Sequence, residues 1–141
     1  MLLELCRRFH EEPMNLGVQF SSSRDIYHHF QTRLGNLKQE RFIIVILDNK
    51  HRFLSETTVT VGLLNRSLVH PREVFAEAIE QRAAAIICIH NHPSVDSSPS
   101  EEDKRITRRL QESGELLGIP LLDHIIISKE DFTSFADEGW L

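Results

Sequence analysis

Residues 84–103 read AAIICIHNHPSVDSSPSEED, and this stretch decides how the chain is organised. Its first six residues, Ala84 to Ile89, form a continuous apolar run that reads as a buried strand. His90 emerges at the end of that run. Side chains two apart in an extended segment point the same way, so His90 and His92 are expected to share a face. Pro93 reinforces this, because the residue before a proline is pushed out of the α region towards extended backbone. Two imidazoles on one side of an extended chain can bind a single cation.

The end of the stretch supplies a third donor. A helix is predicted from Ser100 to about Leu117, with Gly118 and Pro120 as stop signals. Asp103, Ile106 and Leu110 fall at i, i+3 and i+7 along it, which aims the carboxylate at the interior. Burying a carboxylate is costly unless it is paired or coordinates a metal. A zinc ion held by His90, His92 and Asp103 meets that need and leaves a fourth position open, the arrangement of catalytic zinc. Ser100 and Asp103 are also spaced as a capping box, which needs no metal. The two readings can coexist.

The pattern His-x-His-Pro, six residues, Ser, two residues, Asp resembles the JAMM motif of JAB/MPN-domain metallopeptidases. More closely, the chain resembles the RadC family, bacterial proteins long labelled as DNA-repair factors. The resemblance runs from about Ser23 to the C-terminus. It is carried by SLVHPREVF (Ser67–Phe75), AAAIICIHNHPS (Ala83–Ser94), SEEDKRITRRL (Ser100–Leu110) and GIPLLDHIIIS (Gly118–Ser128). It implies an α/β fold, a three-layer α/β/α JAB/MPN-like (cytidine-deaminase-like) domain with a mixed central sheet. The organisation expected is an N-terminal extension at 1–22 and a RadC-like domain at 23–141. Full-length RadC proteins tend to carry a helix–hairpin–helix-like region ahead of this domain. Here about twenty residues precede the matching part, so a stand-alone domain, a short member and a trimmed chain all fit. RadC proteins usually have glycine after HNHPS, where this chain has Val95. A β-branched residue tolerates φ > 0 poorly, so the loop is expected to take another path.

The JAMM pattern also requires an upstream glutamate just ahead of a buried strand. Glu40 fits, because Arg41 leads into the apolar run Phe42–Leu47; Glu56 is the fallback. The implied chemistry is hydrolysis of an amide or isopeptide bond by zinc-activated water. Glu40 acts as general base and passes the proton to the leaving amine, and Ser100 donates a hydrogen bond to the tetrahedral oxyanion. The implied cofactor is Zn2+ and the implied partner a peptide or protein substrate.

The remaining elements follow from periodicity and punctuation. Ser22 or Ser23 caps a helix to about Leu37, with Ile26, Phe30 and Leu34 as its stripe. Strands at Phe42–Leu47 and Phe53–Val61 flank the turn Asp48–His51 and are expected to form an antiparallel hairpin. Pro71 starts a helix whose Val74, Phe75, Ala78 and Ile79 face inward. A last strand is read at His124–Ser128, and Phe132–Trp140 reads as short and irregular. His28 and His29 read as surface residues, His51 as a turn residue and His70 as a helix-entry residue. His124 reads as a core histidine with a satisfied hydrogen bond, though it could sit near the site. Ser94 reads as helping to shape the loop.

Composition bounds the rest. The 141 residues are 40% hydrophobic and 26% charged, as in an ordinary globular domain. No apolar stretch nears the roughly twenty residues that span a bilayer, and MLLELCRRFHEEP is too short and charged for a secretory signal. Cys6 and Cys88 are the only cysteines. With Cys88 in a core strand, a disulfide is not expected and a cytoplasmic location is. Lys104, Arg105, Arg108 and Arg109 invite a nucleic-acid reading. Helical ion pairs from Glu101 to Arg105 and from Glu112 to Arg108 oppose it, as does a formal net charge of −5. A zinc nucleoside deaminase needs a Cys-x-x-Cys that is missing. The alternatives left are a DNA-repair accessory and a non-catalytic metal-binding interaction domain.

Overall fold

The computed structural model describes residues 16–62 and 69–141. Among the described residues three helices, α1 (Ser23–Leu34), α2 (Pro71–Glu80) and α3 (Glu101–Leu117), accompany five strands. The strands are β1 (Arg41–Leu47), β2 (Phe53–Val61), β3 (Ala85–Asn91), β4 (Leu121–Ile127) and β5 (Phe132–Ser134). They form one sheet in the order β2-β1-β3-β4-β5. Only β3 and β4 pair in parallel, joined through α3; the other neighbours are antiparallel.

The continuous apolar runs are explained by two buried sheet faces. Phe42, Ile44 and Ile46 of β1 join Ile86 and Cys88 of β3 against Val74, Phe75 and Ala78 of α2 and Ile106 and Leu110 of α3. Ile43, Val45 and Leu47 join Ile87, Ile89, Ile125 and Ile127 against Ile26, Tyr27, Phe30 and Leu34 of α1. The result is the expected three-layer α/β/α domain with a mixed sheet. Alternation along β3 places His90 on the α3 face, opposite Phe42 of β1 and beside Ile126 of β4.

Several element boundaries differ from expectation for physical reasons. The first helix stops at Leu34, because Gly35 and Asn36 are poor helix formers. β4 begins three residues early, at Leu121. Asp123, which falls outside the expected strand, lies buried and accepts hydrogen bonds from the Ser134 hydroxyl and the His124 and Ala136 amides. Phe132–Ser134 is an edge strand rather than irregular, too short to show a period. Ile79 does not face inward. Val74, Phe75 and Ala78 already cover the sheet, and Ile79 is 54% exposed. Cys88 is buried and its thiol is pushed up by burial and by Asp123, so it is an inert core residue. Cys6, most of segment 1–22 and Ser67–Leu68 lie outside the described residues. Among the described residues no helix is long and apolar enough to cross a membrane.

Candidate metal centre

β3 delivers His90 and Asn91 at its C-terminal end. The His92 amide continues the parallel ladder by donating to the Ile127 carbonyl at 2.8 Å. The loop that follows is held by Ser94. Its amide donates to the His92 carbonyl, its hydroxyl exchanges bonds with Asp96, and its carbonyl accepts from Lys129. Val95 keeps φ out of the positive region. Its side chain is exposed and its carbonyl accepts from the Ser128 hydroxyl, so the residue is accommodated without left-handed backbone.

α3 begins with the expected cap. Ser100 Oγ accepts from the Asp103 amide at 3.1 Å, and Asp103 Oδ2 accepts from the Ser100 amide at 2.8 Å. The same Oδ2 lies 3.2 Å from His92 Nε2, and Oδ1 lies 3.4 Å from His90 Nδ1. The capping reading of Asp103 therefore holds, and the same carboxylate lies beside both histidines. On the other side of His90, Nε2 lies 3.6 Å from Glu40 Oε2. Glu40, His90 and His92 offer donor atoms that all lie within 4.8 Å of one another. That group holds Glu40 rather than Asp103, whose carboxylate lies against both histidines.

His90 is 1% exposed, and neither ring nitrogen has a hydrogen-bond partner. Buried polar atoms without partners are rare and costly. His92 Nδ1 lies 3.2 Å from the Asp96 carbonyl, an acceptor, so this nitrogen carries the proton and the neutral ring presents a lone pair at Nε2. That lone pair faces the Asp103 carboxylate, another acceptor. Only a second proton or a cation reconciles them. Burial lowers the His92 pKa, but the bond and charge of Asp103 outweigh it and raise the value. Burial likewise pushes Asp103 up, and His92, His90 and the Ser100 amide bring it down to about 2. A divalent cation fits this donor set: two carboxylates, two imidazoles, and one proton already anchored on a backbone carbonyl.

Two residues of the site, Asn91 and Thr107, were missed from sequence, and His124, read as a core histidine that could sit near the site, adjoins Thr107. Asn91 is 1% exposed; its Oδ1 accepts from the Arg41 amide at 2.6 Å and its Nδ2 donates to the Gln39 carbonyl at 3.0 Å. It brackets Glu40 from both sides. The available signal was a polar side chain two residues beyond Ile89, on the same face of a strand whose preceding residues are all apolar. Thr107 donates its hydroxyl proton to the Asp103 carbonyl, so His124 Nδ1 donates to Thr107 Oγ1. His124 is fully buried, its Nε2 is without a partner, and its ring lies 6.1 Å from that of His90. Burial and then the charge of His90 depress its pKa to about 3, keeping it neutral. It is both a core histidine and a neighbour of the site, with one nitrogen satisfied.

The other sequence candidates resolve plainly. Glu56 is opposite Val45 on the α1 face and holds Arg33 through two bonds, at 2.8 and 3.0 Å. It is a structural ion pair away from the site, which removes the fallback base. His28 and His29 are exposed on α1, His51 sits in the turn with φ 58°, and His70 caps α2. The ion pairs of the basic helix are Lys104–Glu101 and Arg105–Glu102. The pairing is i, i+3 rather than the expected Glu101 to Arg105.

A profile of the RadC-like JAB domain matches residues 20–140. The chain belongs to the RadC family. A UPF0758 protein of Syntrophotalea carbinolica is 49% identical over 140 residues, covering 99% of this chain and 62% of that protein. UPF0758 proteins of Bacillus licheniformis and Methanosarcina mazei are each 46% identical, covering 99% of this chain and 62% and 61% of their own lengths. The RadC-like domain described here thus spans about three-fifths of the curated relatives it matches.

Proposed function

We propose that this RadC-like domain is a metal-dependent hydrolase of the JAMM type that cleaves peptide or isopeptide bonds, with zinc as the metal. The observation that supports it best is His90, buried with two unsatisfied ring nitrogens between the carboxylates of Glu40 and Asp103. A bound zinc would supply Lewis acidity and lower the pKa of water at the site to about 7. His90, His92 and Asp103 are the proposed ligands. Asp103 stays ionised and His124 stays neutral, so this second buried histidine adds no charge against the cation.

Glu40 is the proposed general base, and relative exposure separates the two carboxylates. The Glu40 side chain is 19% exposed and that of Asp103 is 2%. The group that must exchange protons with water and a leaving amine is the one that solvent reaches. Ser100 Oγ accepts the Asp103 amide, which leaves its own hydroxyl proton to donate to a developing oxyanion. Stoichiometric zinc in chelator-free protein, together with zinc-dependent cleavage of peptide or isopeptide-linked reporters, tests the reading. Zinc binding no tighter than to His92→Ala would sink it.

A further inference from the structure

α3 and the turn after β5 enclose a second concavity of about 200 Å3, lined by Lys104, Thr107, Arg108, Gln111, Phe135 and Trp140. Phe135 and Thr107 are buried and make its floor, and Trp140 is 46% exposed at the rim. The Thr107 hydroxyl is already committed to Asp103 and His124. Recognition of a polar ligand therefore falls to Lys104, Arg108 and Gln111, at i, i+4 and i+7 on one face of α3. The Lys104 ammonium lies 5.4 Å from the centre of the Trp140 ring. Its acidic neighbour, Glu101, is 3.7 Å away with a side chain that is 78% exposed. Like charges at i, i+4 repel, and none of the lining residues is acidic. An anion seated between Lys104 and Arg108 relieves that repulsion.

We propose that this pocket receives a carboxylate-bearing residue of the substrate peptide, a few residues from the bond that is cut. The identity of the carrier rests on the hydrolase reading; the anion site does not. The volume is below the roughly 300–1,000 Å3 of cofactor and small-molecule sites and suits a single residue. A planar carboxylate forks onto a guanidinium, while Trp140 and Phe135 offer apolar contact to its carbon stem. Thr107 is a shared wall, since its hydroxyl bonds the carbonyl of Asp103 in the metal cluster. Lys104 to Gln111 spans about 10 Å of helix, which an extended peptide covers in about three residues. A polyanion is disfavoured by the formal net charge of −5, whereas a lone carboxylate is not.

Trp140 is the chain's only tryptophan, so its emission reports on this pocket directly. The experiment titrates Glu40→Gln protein, in which probes persist, with three peptides of equal length. One is acetylated and amidated with a central glutamate, the second has glutamine there, and the third has glutamine and a free C-terminal carboxylate. The expected result is a saturable Trp140 response to one or both carboxylate peptides and about tenfold weaker binding of the neutral one. Which carboxylate peptide binds identifies the source of the anion. Lys104→Gln and Arg108→Gln should each weaken that binding about tenfold, and Arg108→Lys less. Equal binding of the neutral peptide, no saturable response, or affinity that survives both substitutions overturns the proposal. So does a tighter response to a single-stranded oligonucleotide, which would make this a nucleic-acid site. Binding is read without turnover, so failure of the hydrolase reading leaves the pocket test intact. Cleavage indifferent to acidic residues, with no peptide bound at Trp140, removes the pocket alone.

Discussion

Asn91 accepts the backbone amide of Arg41 at 2.6 Å while standing between the two histidines of the cluster. With its second bond to Gln39, one side chain fixes the segment that carries Glu40 to the strand that carries His90. Removing it should therefore disturb the site without touching a proposed ligand. Asn91→Ala is expected to destabilise the fold by about 1–3 kcal/mol through unsatisfied backbone groups, to speed hydrogen exchange at the Arg41 amide, and to loosen zinc. Unchanged exchange at Arg41 would show that Asn91 is dispensable as a bracket.

Metal binding is the next expectation. One zinc per chain should bind, and His92→Ala or Asp103→Ala should abolish stoichiometric binding. Asp103→Asn is the sharper probe, since it keeps a cap acceptor for the Ser100 amide while removing the charge. Zinc removal should leave the domain folded, because apolar side chains cover both sheet faces. Elemental analysis and a far-ultraviolet spectrum after chelation check both halves.

Glu40→Gln separates proton transfer from folding. The amide has nearly the carboxylate's shape but cannot take a proton, so turnover should fall about 10²- to 10⁴-fold with fold retained. Ser100→Ala should cost less, with the helix cap as an added stability loss of about 1 kcal/mol. Undiminished hydrolysis in Glu40→Gln would exclude Glu40 as the base, and Glu56 could not replace it because it faces α1 in its pair with Arg33.

His124 should make stability pH-dependent. Its folded pKa, about 3, lies below the unfolded value near 6.5. The unfolded chain then binds a proton that the native state refuses, so stability is full above about pH 6.5 and is lost as pH falls towards 3. The slope approaches about 1.4 kcal/mol per pH unit. Asp103, also depressed, adds its own loss only below the ordinary carboxylate range. Urea midpoints of chelator-treated protein at pH 7 and pH 5 should separate less in His124→Gln than in the parent. Equal separations would show that His124 does not carry the effect.

Duplex DNA should bind weakly and without sequence preference, because Lys104 and Arg105 have acidic neighbours one turn away. Sub-micromolar affinity at physiological salt, lost in Arg105→Ala/Arg109→Ala, would favour the DNA-repair alternative.

Sequence periodicity reached the parts of this domain where every neighbour agrees. The apolar runs at Phe42–Leu47 and Ile86–Ile89 and the start of α3 were legible because burial there is uniform or the cap chemistry is local, and the half-buried β2 was legible from its β-branched residues after a turn signal. The meeting of His90, His92 and Asp103 was legible for the same reason: strand alternation and helix stripe are local rules. What depended on distant partners was not. Asp123 is buried because Ser134 at the end of β5 and Ala136 in the turn after it supply its donors. Asn91 reaches Gln39 and Arg41 about fifty positions away, and His124 meets Thr107 from another element. No window of neighbouring residues contains those pairs.

Asp103 Oδ2 serves the start of α3 and the edge of His92 with one atom. Position 103 therefore answers to two independent requirements, and they tolerate different replacements. A descendant that abandoned the metal would still need a short acceptor there to begin the helix, so asparagine or serine could follow where alanine or leucine could not. Loss of the chemistry and loss of the architecture are separable at His90 and His92, but at Asp103 they are tied together.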